Sequence, residues 1–206
     1  MYNYNFIAGK STAVLKQIIA TVVFAALGAA HIDSVMAQAN GDKTQSFWIR
    51  KLGLIPHIEG GYFKYEFGSG TLRKTAHGAE RKDYSGIYFM VTHDSPSRFH
   101  EMKSDEIWYY HAGAPLTMHV IDENGEYHTT RIGPDPDRGE VLSVVMRAGW
   151  IFGSSVDAGD YGLVSCLVVP GYDDADYRLV TQAELLKTYP AHRDIIMKMA
   201  YRVLPR

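Results

Sequence analysis

Short apolar runs rich in aromatic and β-branched residues, separated by glycine, proline and asparagine, dominate the chain beyond residue 46. Such runs are typical of strands, and they predict strands at residues 62–67, 86–92, 116–122, 127–132, 141–146 and 160–170. Asn124-Gly125 predicts a tight hairpin turn, because this pair adopts two positive φ angles at low cost. Many strands without alternating helices favour an all-β sandwich or barrel.

Apolar spacing of three and four residues predicts short flanking helices. One covers residues 47–54 and ends before Pro56. Another covers residues 182–187, where Thr181 and Glu184 have the spacing of a capping box. A third lies within residues 191–206. Residues 68–83 and 133–139 are polar or glycine-bearing, and we interpret them as loops.

The stretch 97–116 combines a histidine, a carboxylate and large aromatic residues in one strand-turn-strand unit. Period-two alternation places one set of its side chains on the same face, namely His100, Met102, Glu106, Trp108 and Tyr110. If that face points inward, it forms an aromatic-walled pocket that holds an imidazole and a carboxylate.

Composition excludes some classes of function. The chain of 206 residues has a formal net charge of −2 and no basic stripe, which gives no electrostatic case for nucleic-acid binding. Nineteen glycines and 12% aromatic residues suit a β-rich fold. Cys166 is the single cysteine, so no internal disulfide forms, and its apolar surroundings indicate a small buried residue.

The first 39 residues have the layout of a secretory signal peptide. Lys10 and Lys16 precede an uncharged apolar run at 18–30, and Ala37-Gln38-Ala39 is a small-x-small cleavage site. Cleavage would leave a net charge of −3. We expect a periplasmic or secreted protein without stable membrane insertion after cleavage; the alternative is an uncleaved membrane anchor.

Several blocks of residues resemble a known family. His100, Glu106 and Gly113 match the first cupin motif, in which a glycine follows the glutamate by seven residues. The chain resembles more closely a cupin subfamily of unknown function, through Pro56-His57, Glu59-Gly60-Gly61-Tyr62-Phe63, Phe99-His100, Ser104-Asp105-Glu106-Ile107-Trp108, His111-Ala112-Gly113, Gly159-Asp160-Tyr161 and Pro170-Gly171. The resemblance implies a jelly-roll (cupin) β-barrel, a single domain over residues 40–206 with its core at 48–190, and a homodimer.

The same resemblance implies an incomplete metal site. Cupin metal sites use three histidines and a glutamate, and divalent ions require several converging ligands. His100 and Glu106 occupy two of these positions and are the candidate metal ligands, whereas Met102 and Phe152 occupy the other two. We expect no cofactor beyond a weakly bound divalent metal.

Metal-free acid–base chemistry is the main hypothesis for catalysis. A histidine beside a carboxylate acts as a general base when the carboxylate fixes its tautomer and stabilises the imidazolium. This makes His100 and Glu106 the candidate catalytic residues of an epimerase- or isomerase-like enzyme, a chemistry found in sugar-nucleotide epimerases with the same barrel. A buried ion pair alone does not demonstrate catalysis, so enzymatic activity stays open.

The expected ligand is a small polar molecule with a sugar or aromatic ring. Ligand sites are mostly apolar with a few placed polar groups, and the candidate ligand-binding residues are His57, Glu59, Tyr62, Lys64, Tyr88, Phe99, Trp108, Tyr110 and Trp150. Two alternatives to an epimerase-like enzyme stay open: a non-catalytic small-molecule binding protein, and a metal-dependent dioxygenase-type cupin.

Overall fold

A computed structural model describes residues 43–205 of the chain. The predicted signal peptide at 1–39 lies outside the described residues. Within residues 43–205, no helix has the length and apolar character needed to cross a membrane. Residues 45–205 belong to one compact unit.

The first half of this unit is one helix followed by strands. In chain order the elements are α1 (Gln45–Leu52), β1 (Ile55–Pro56), β2 (Tyr62–Gly68), β3 (Leu72–Lys74), β4 (Glu80–Lys82), β5 (Ser85–Thr92), β6 (Ser97–Met102) and β7 (Asp105–Gly113). The second half adds β8 (Leu116–Ile121), β9 (Tyr127–Ile132), β10 (Ser143–Met146), β11 (Ile151–Val156), β12 (Tyr161–Val169), β13 (Tyr177–Leu179), α2 (Gln182–Thr188) and α3 (Arg193–Met199).

The strands form two facing antiparallel sheets. Six strands pair in the order β1-β2-β5-β12-β7-β10 and five in the order β13-β6-β11-β8-β9, while β3 and β4 form a separate hairpin. Successive strands from β5 to β8 alternate between the two sheets, as in a jelly roll. The predicted all-β jelly-roll fold is confirmed, as two facing sheets rather than one fully hydrogen-bonded barrel.

Three apolar clusters hold these layers together. The main core lies between the sheets and includes Phe89, Trp108 and Phe152. The other two clusters lie on the outer faces, where amphipathic helices bury their apolar side. Trp48 of α1 packs on the six-stranded sheet, and Ile196 of α3 packs on the five-stranded sheet.

The helix α2 begins as predicted. The Thr181 side chain accepts a hydrogen bond from the backbone of Glu184, and the Glu184 carboxylate accepts one from the backbone of Thr181. This reciprocal capping box satisfies N–H groups that the first turn leaves unpaired.

Three segments differ from the predictions or refine them. The predicted loop 68–83 contains the β3–β4 hairpin, whose side chains are largely exposed and therefore lack a core-facing apolar pattern. Residues 147–159, between two predicted strands, contain β11, which is buried on both faces although Gly153, Ser154 and Ser155 interrupt its apolar run. Only Arg193–Met199 of the last predicted helical segment forms an α-helix.

Candidate functional site

A cavity of about 200 Å³ lies between the two sheets. Six aromatic side chains line it: Phe63, Tyr65, Phe89, Trp108, Tyr172 and Tyr177. Its ionisable wall residues are His57, Glu59, His100, Glu106 and Cys166, with the tyrosines just named. Tyr65 and Tyr172 are half-exposed, so they mark the side on which the cavity meets solvent.

The strands β6 and β7 supply the centre of the site. His100 and Met102 of β6 and Glu106 and Trp108 of β7 all line the cavity. The alternation that turns every second side chain of β6 toward the cavity therefore continues in step into β7, across the turn at 103–104. Alternation along a strand sends neighbouring side chains to opposite faces, and it brings this imidazole and this carboxyl to the same cavity.

A tight loop at residues 57–61 supplies Glu59. Gly60 has a φ of +110°, and a Cβ there would lie 2.1 Å from the carbonyl oxygen of Pro96. The backbone N–H of Gly61 donates to Ser95 Oγ at 2.8 Å, and the N–H of Arg98 donates to the Glu59 carbonyl at 2.8 Å. The glycines thus let the loop lie against the start of β6, where Glu59 enters the cavity.

Glu59 is the best-connected polar group on the wall. Its carboxylate accepts hydrogen bonds from Ser97 Oγ at 2.7 Å and from Tyr177 OH at 3.1 Å. Its Oε2 also lies 3.4 Å from His100 Nδ1 and 3.5 Å from His57 Nδ1. Burial raises the pKa of Glu59, and His57 and the two hydroxyl donors oppose that rise.

His100 is held in one tautomer by the backbone. Its Nδ1 lies 2.8 Å from the Arg98 carbonyl oxygen, which accepts a hydrogen bond only if Nδ1 carries the proton. The Nε2 atom is then the basic nitrogen of the ring. Burial lowers the pKa of His100, and the charge of Glu106 opposes that shift, so the free imidazole is neutral at pH 7.

These contacts correct the expected division of roles. Glu106 was expected to fix the tautomer of His100, but the Nδ1 hydrogen bond goes to Arg98, and the carboxylate beside Nδ1 is that of Glu59. The reason is local geometry: the 57–61 loop lies against β6, whereas Glu106 reaches the cavity from β7 in the opposite sheet.

The hydrogen-bond donors around Glu106 are weaker than those around Glu59. Burial raises its pKa to about 7, opposed by the charge of His100 and by the Trp108 indole and Cys166 thiol beside it. Trp108 Nε1 is buried and makes no hydrogen bond of normal geometry with any described residue. A carboxyl in such surroundings exchanges its proton near neutral pH.

Three of the predicted ligand-binding residues lie on the outer face of the six-stranded sheet. Phe63 and Tyr65 of β2 line the cavity, so Tyr62 and Lys64 point the other way. Tyr62 and Tyr88 pack in the cluster beneath α1, and Lys64 pairs with Glu66 at 2.8 Å on the surface.

The structure places three more predicted residues away from the cavity wall. Phe99 is buried on the opposite face of β6, in the cluster beneath α2 and α3. Tyr110 packs against the edge of the main core and donates to the Gly113 carbonyl at 2.6 Å. The Trp150 indole donates to Glu123 outside the cavity. The cavity thus brings together five of the predicted residues: His57, Glu59, His100, Glu106 and Trp108.

The sequence patterns missed the tyrosines contributed from beyond β12. Tyr172 and Tyr177 follow the cis peptide bond between Val169 and Pro170 and flank a 3₁₀ turn at Asp174–Asp176. Only the Pro170-Gly171 block marked this segment. Cys166, expected to be a small buried residue, is fully buried and also lines the cavity.

The donor set does not fit a cupin metal centre. Among the described residues, no group of three or more His, Cys, Asp and Glu side chains converges in a way that could hold a metal ion. At the other two positions of the metal motif that the resemblance implies lie Met102, which lines the cavity, and Phe152, whose ring centroid is 4.2 Å from that of His100. Neither side chain is a suitable ligand for a hard or borderline dication.

Comparison with known proteins identifies the family of this chain. The family model described as "Cupin superfamily (DUF985)" matches residues 46–180. The chain belongs to the cupin superfamily. No protein with a curated description is significantly similar to it.

Two solved structures show the similarity of this cupin to whole proteins. A hypothetical protein from Leishmania major is 42% identical, with a TM-score of 0.74, and the match covers 77% of this chain and 99% of that one. A protein from Shewanella oneidensis is 34% identical, with a TM-score of 0.72, and the match covers 77% and 98% of the respective chains.

The loop that carries Glu59 should not tolerate a side chain at Gly60. We expect Gly60→Ala to lower the free energy of unfolding by roughly 2–4 kcal/mol, because the new Cβ meets the Pro96 carbonyl in addition to the strain of a positive φ. Gly78→Ala is the matched control, since Gly78 also has a positive φ but nothing lies within 4 Å of its added Cβ. Urea unfolding measures both, and equal losses would contradict the steric argument.

Glu106 should make the protein less stable at alkaline pH. Its pKa rises from 4.5 to about 7 on folding, so its contribution to stability is complete below pH 4.5 and is lost as the pH rises through about 7. We expect Glu106→Gln to be more stable than the wild type by roughly 1–3 kcal/mol at pH 8, with a smaller difference at pH 5.

Urea unfolding at the two pH values tests this expectation. Glu101→Gln is the control, because Glu101 lies on the outside of β6 and pairs with Arg178 at the surface. A difference between Glu106→Gln and the wild type that does not change with pH would refute the assignment of this ionisation to Glu106.

Proposed function

We propose that this cupin binds a small polar molecule between its sheets and catalyses a proton transfer on it, as epimerases and isomerases do. One observation carries the proposal: a basic imidazole and an acidic carboxyl face one cavity from opposite sheets and are shielded from water. His100 is 1% exposed and Glu106 is 6% exposed. Each acts on the pKa of the other.

His100 is the general base in this proposal. Its Nδ1 proton is engaged by the Arg98 carbonyl, which leaves the Nε2 lone pair to accept a proton from the ligand. The Glu59 carboxyl, with Oε2 3.4 Å from Nδ1, and the charge of Glu106 would both favour the imidazolium formed in that step. A base that is oriented by a third group in this way contributes about 10²–10⁴-fold to a rate.

Glu106 is the general acid. A pKa of about 7 means that a large fraction of the carboxyl groups holds a proton at neutral pH. A group with a pKa near the working pH is well suited to donate and recover a proton. His100 and Glu106 come from opposite sheets. The ligand therefore gives a proton to His100 on one side and receives a proton from Glu106 on the other.

The size and lining of the cavity support a compact ligand. A volume of about 200 Å³ is below the range of about 300–1,000 Å³ that holds drug-sized molecules. Aromatic rings suit the faces of a sugar or planar ring, and the His and Glu side chains suit its hydroxyl or amino groups.

Binding without chemistry is the second candidate function. The largely apolar wall favours it, because aromatic side chains alone provide affinity for a ring, and buried ionisable pairs also occur in proteins without catalysis. In that case the ligand leaves the protein unchanged.

The proposed setting is the periplasm or the cell exterior, with the protein as a homodimer. The charge and hydropathy pattern of residues 1–39 supports export. Exposed apolar side chains at Ile55, Phe67 and Leu72 support self-association.

Solvent exchange tests the base. Small molecules released from natively purified protein are identified by mass spectrometry and then incubated with the protein in D₂O. We expect the wild type to replace a carbon-bound hydrogen of the ligand with deuterium, as seen by NMR, and His100→Gln to slow this by about 100-fold or more.

His128→Gln is the matched control for that experiment, because His128 is exposed and pairs with Asp122 at the surface. It should exchange like the wild type. Exchange that persists in His100→Gln contradicts the role of His100, and a recovered ligand that never exchanges favours binding without chemistry.

The pH profile tests the acid. We expect the exchange rate to fall as the pH rises above about 7, because Glu106 then loses the proton that it donates. On the acidic side of the profile, the midpoint of the rise in exchange rate should lie below pH 6.5, since burial lowers the pKa of His100. In Glu106→Gln the decline near pH 7 should disappear along with most of the activity; a decline that stays in place would assign it to another group.

A further inference from the structure

The cavity wall carries two carboxyl groups and no permanent cation. Glu59 and Glu106 both line the cavity, and none of its lining residues is a lysine or an arginine. We infer that the ligand of this cavity is a small organic cation that carries an ammonium group. The inference rests on the proposed function, because it specifies the class of ligand bound at the same site.

The imidazoles on the wall do not supply the missing positive charge. His57 and His100 are both shielded from water, and burial lowers the pKa of each. Arg98 belongs to β6 but faces outward, where its guanidinium donates to the Lys198 carbonyl and lies over the Tyr201 ring. No lysine or arginine of the lining is therefore available to the two carboxyl groups, and a cationic ligand would supply the missing partner.

Glu106 is the carboxyl that is open to such a partner. Glu59 already accepts hydrogen bonds from Ser97 and Tyr177. The polar groups beside Glu106 are the Trp108 indole and the Cys166 thiol, which are weaker partners than an ammonium. The buried Trp108 N–H makes no hydrogen bond of normal geometry with any described residue, so an acceptor oxygen on the ligand would give it a better partner than Glu106 does.

The aromatic walls favour a cation over a neutral molecule of the same shape. The face of an aromatic ring attracts an ammonium group, most strongly where water is excluded. At the solvent-facing side of the cavity, Lys82 Nζ donates to the Tyr65 hydroxyl at 3.1 Å and lies 5.4 Å from the centre of its ring. A cavity lined by aromatic rings and carboxyl groups therefore suits an amino alcohol.

A pair of isosteres tests the inference directly. Choline and 3,3-dimethylbutan-1-ol have the same shape and the same hydroxyl group but differ in positive charge. We expect isothermal titration calorimetry with the full-length protein to give a dissociation constant for choline at least about tenfold lower than that for the neutral alcohol. Ethanolamine, which adds N–H donors, should also bind more tightly than the neutral alcohol.

Two variants test whether choline binds in the cavity. Glu106→Gln should weaken choline binding by about tenfold while it leaves the affinity for 3,3-dimethylbutan-1-ol nearly unchanged. Glu101→Gln, which removes a carboxylate from the outer face of the same strand that carries His100, should leave the affinity for choline unchanged. Circular dichroism of each variant confirms that it is folded.

The outcomes separate this inference from the proposed function. Equal affinity for choline and the neutral alcohol overturns the inference, while cavity binding and proton transfer stay supported if solvent exchange depends on His100. Choline binding that is lost in Glu101→Gln but kept in Glu106→Gln also overturns it, since the cation is then at the surface. Absence of binding by all three probes overturns it as well, and the identity of the ligand released from native protein then decides the proposed function.

Discussion

The burial of two carboxyl groups in one apolar cavity is the constraint on which the rest of the site depends. A carboxylate removed from water needs hydrogen bonds or an opposite charge, and otherwise it keeps its proton. Glu59 receives hydrogen bonds from Ser97 and Tyr177 and lies beside two imidazoles. Glu106 has weaker partners, and its pKa rises to about 7. The same burial therefore produces one carboxyl held by hydrogen bonds beside His100 and one whose pKa lies near neutrality.

This difference between the carboxyls depends on long-range structure. Glu59 comes from the loop before β2, Ser97 from the start of β6, and Tyr177 from the start of β13. The Ser97 and Tyr177 bonds to Glu59 span 38 and 118 residues of the chain. The polar network therefore exists only when both sheets are assembled, and the fold itself sets the chemistry of the site.

The sequence predicted the two central residues because alternation is a local property. His100 and Glu106 could be assigned to one face from the spacing of β6 and β7 alone. The same rule failed at Tyr62 and Tyr88 because it separates two faces of a strand without saying which one is inside. Here α1 covers the outer face of the six-stranded sheet, so both faces carry aromatic residues. The contacts of Glu59 with Tyr177 and His100 could not be predicted, since no local pattern connects these segments.

The residues at the cupin metal positions bear on the proposed cationic ligand. In a cupin that assembles three histidines and a glutamate, a dication would balance the buried carboxylate. Met102 and Phe152 occupy two of those positions here, and the Phe152 ring packs against His100. Balancing the charge of the carboxyls then falls to a proton in the free protein and to the ligand in the complex. An ammonium ligand would compete with the proton on Glu106, so the binding of such a ligand and the ionisation of the acid would be coupled.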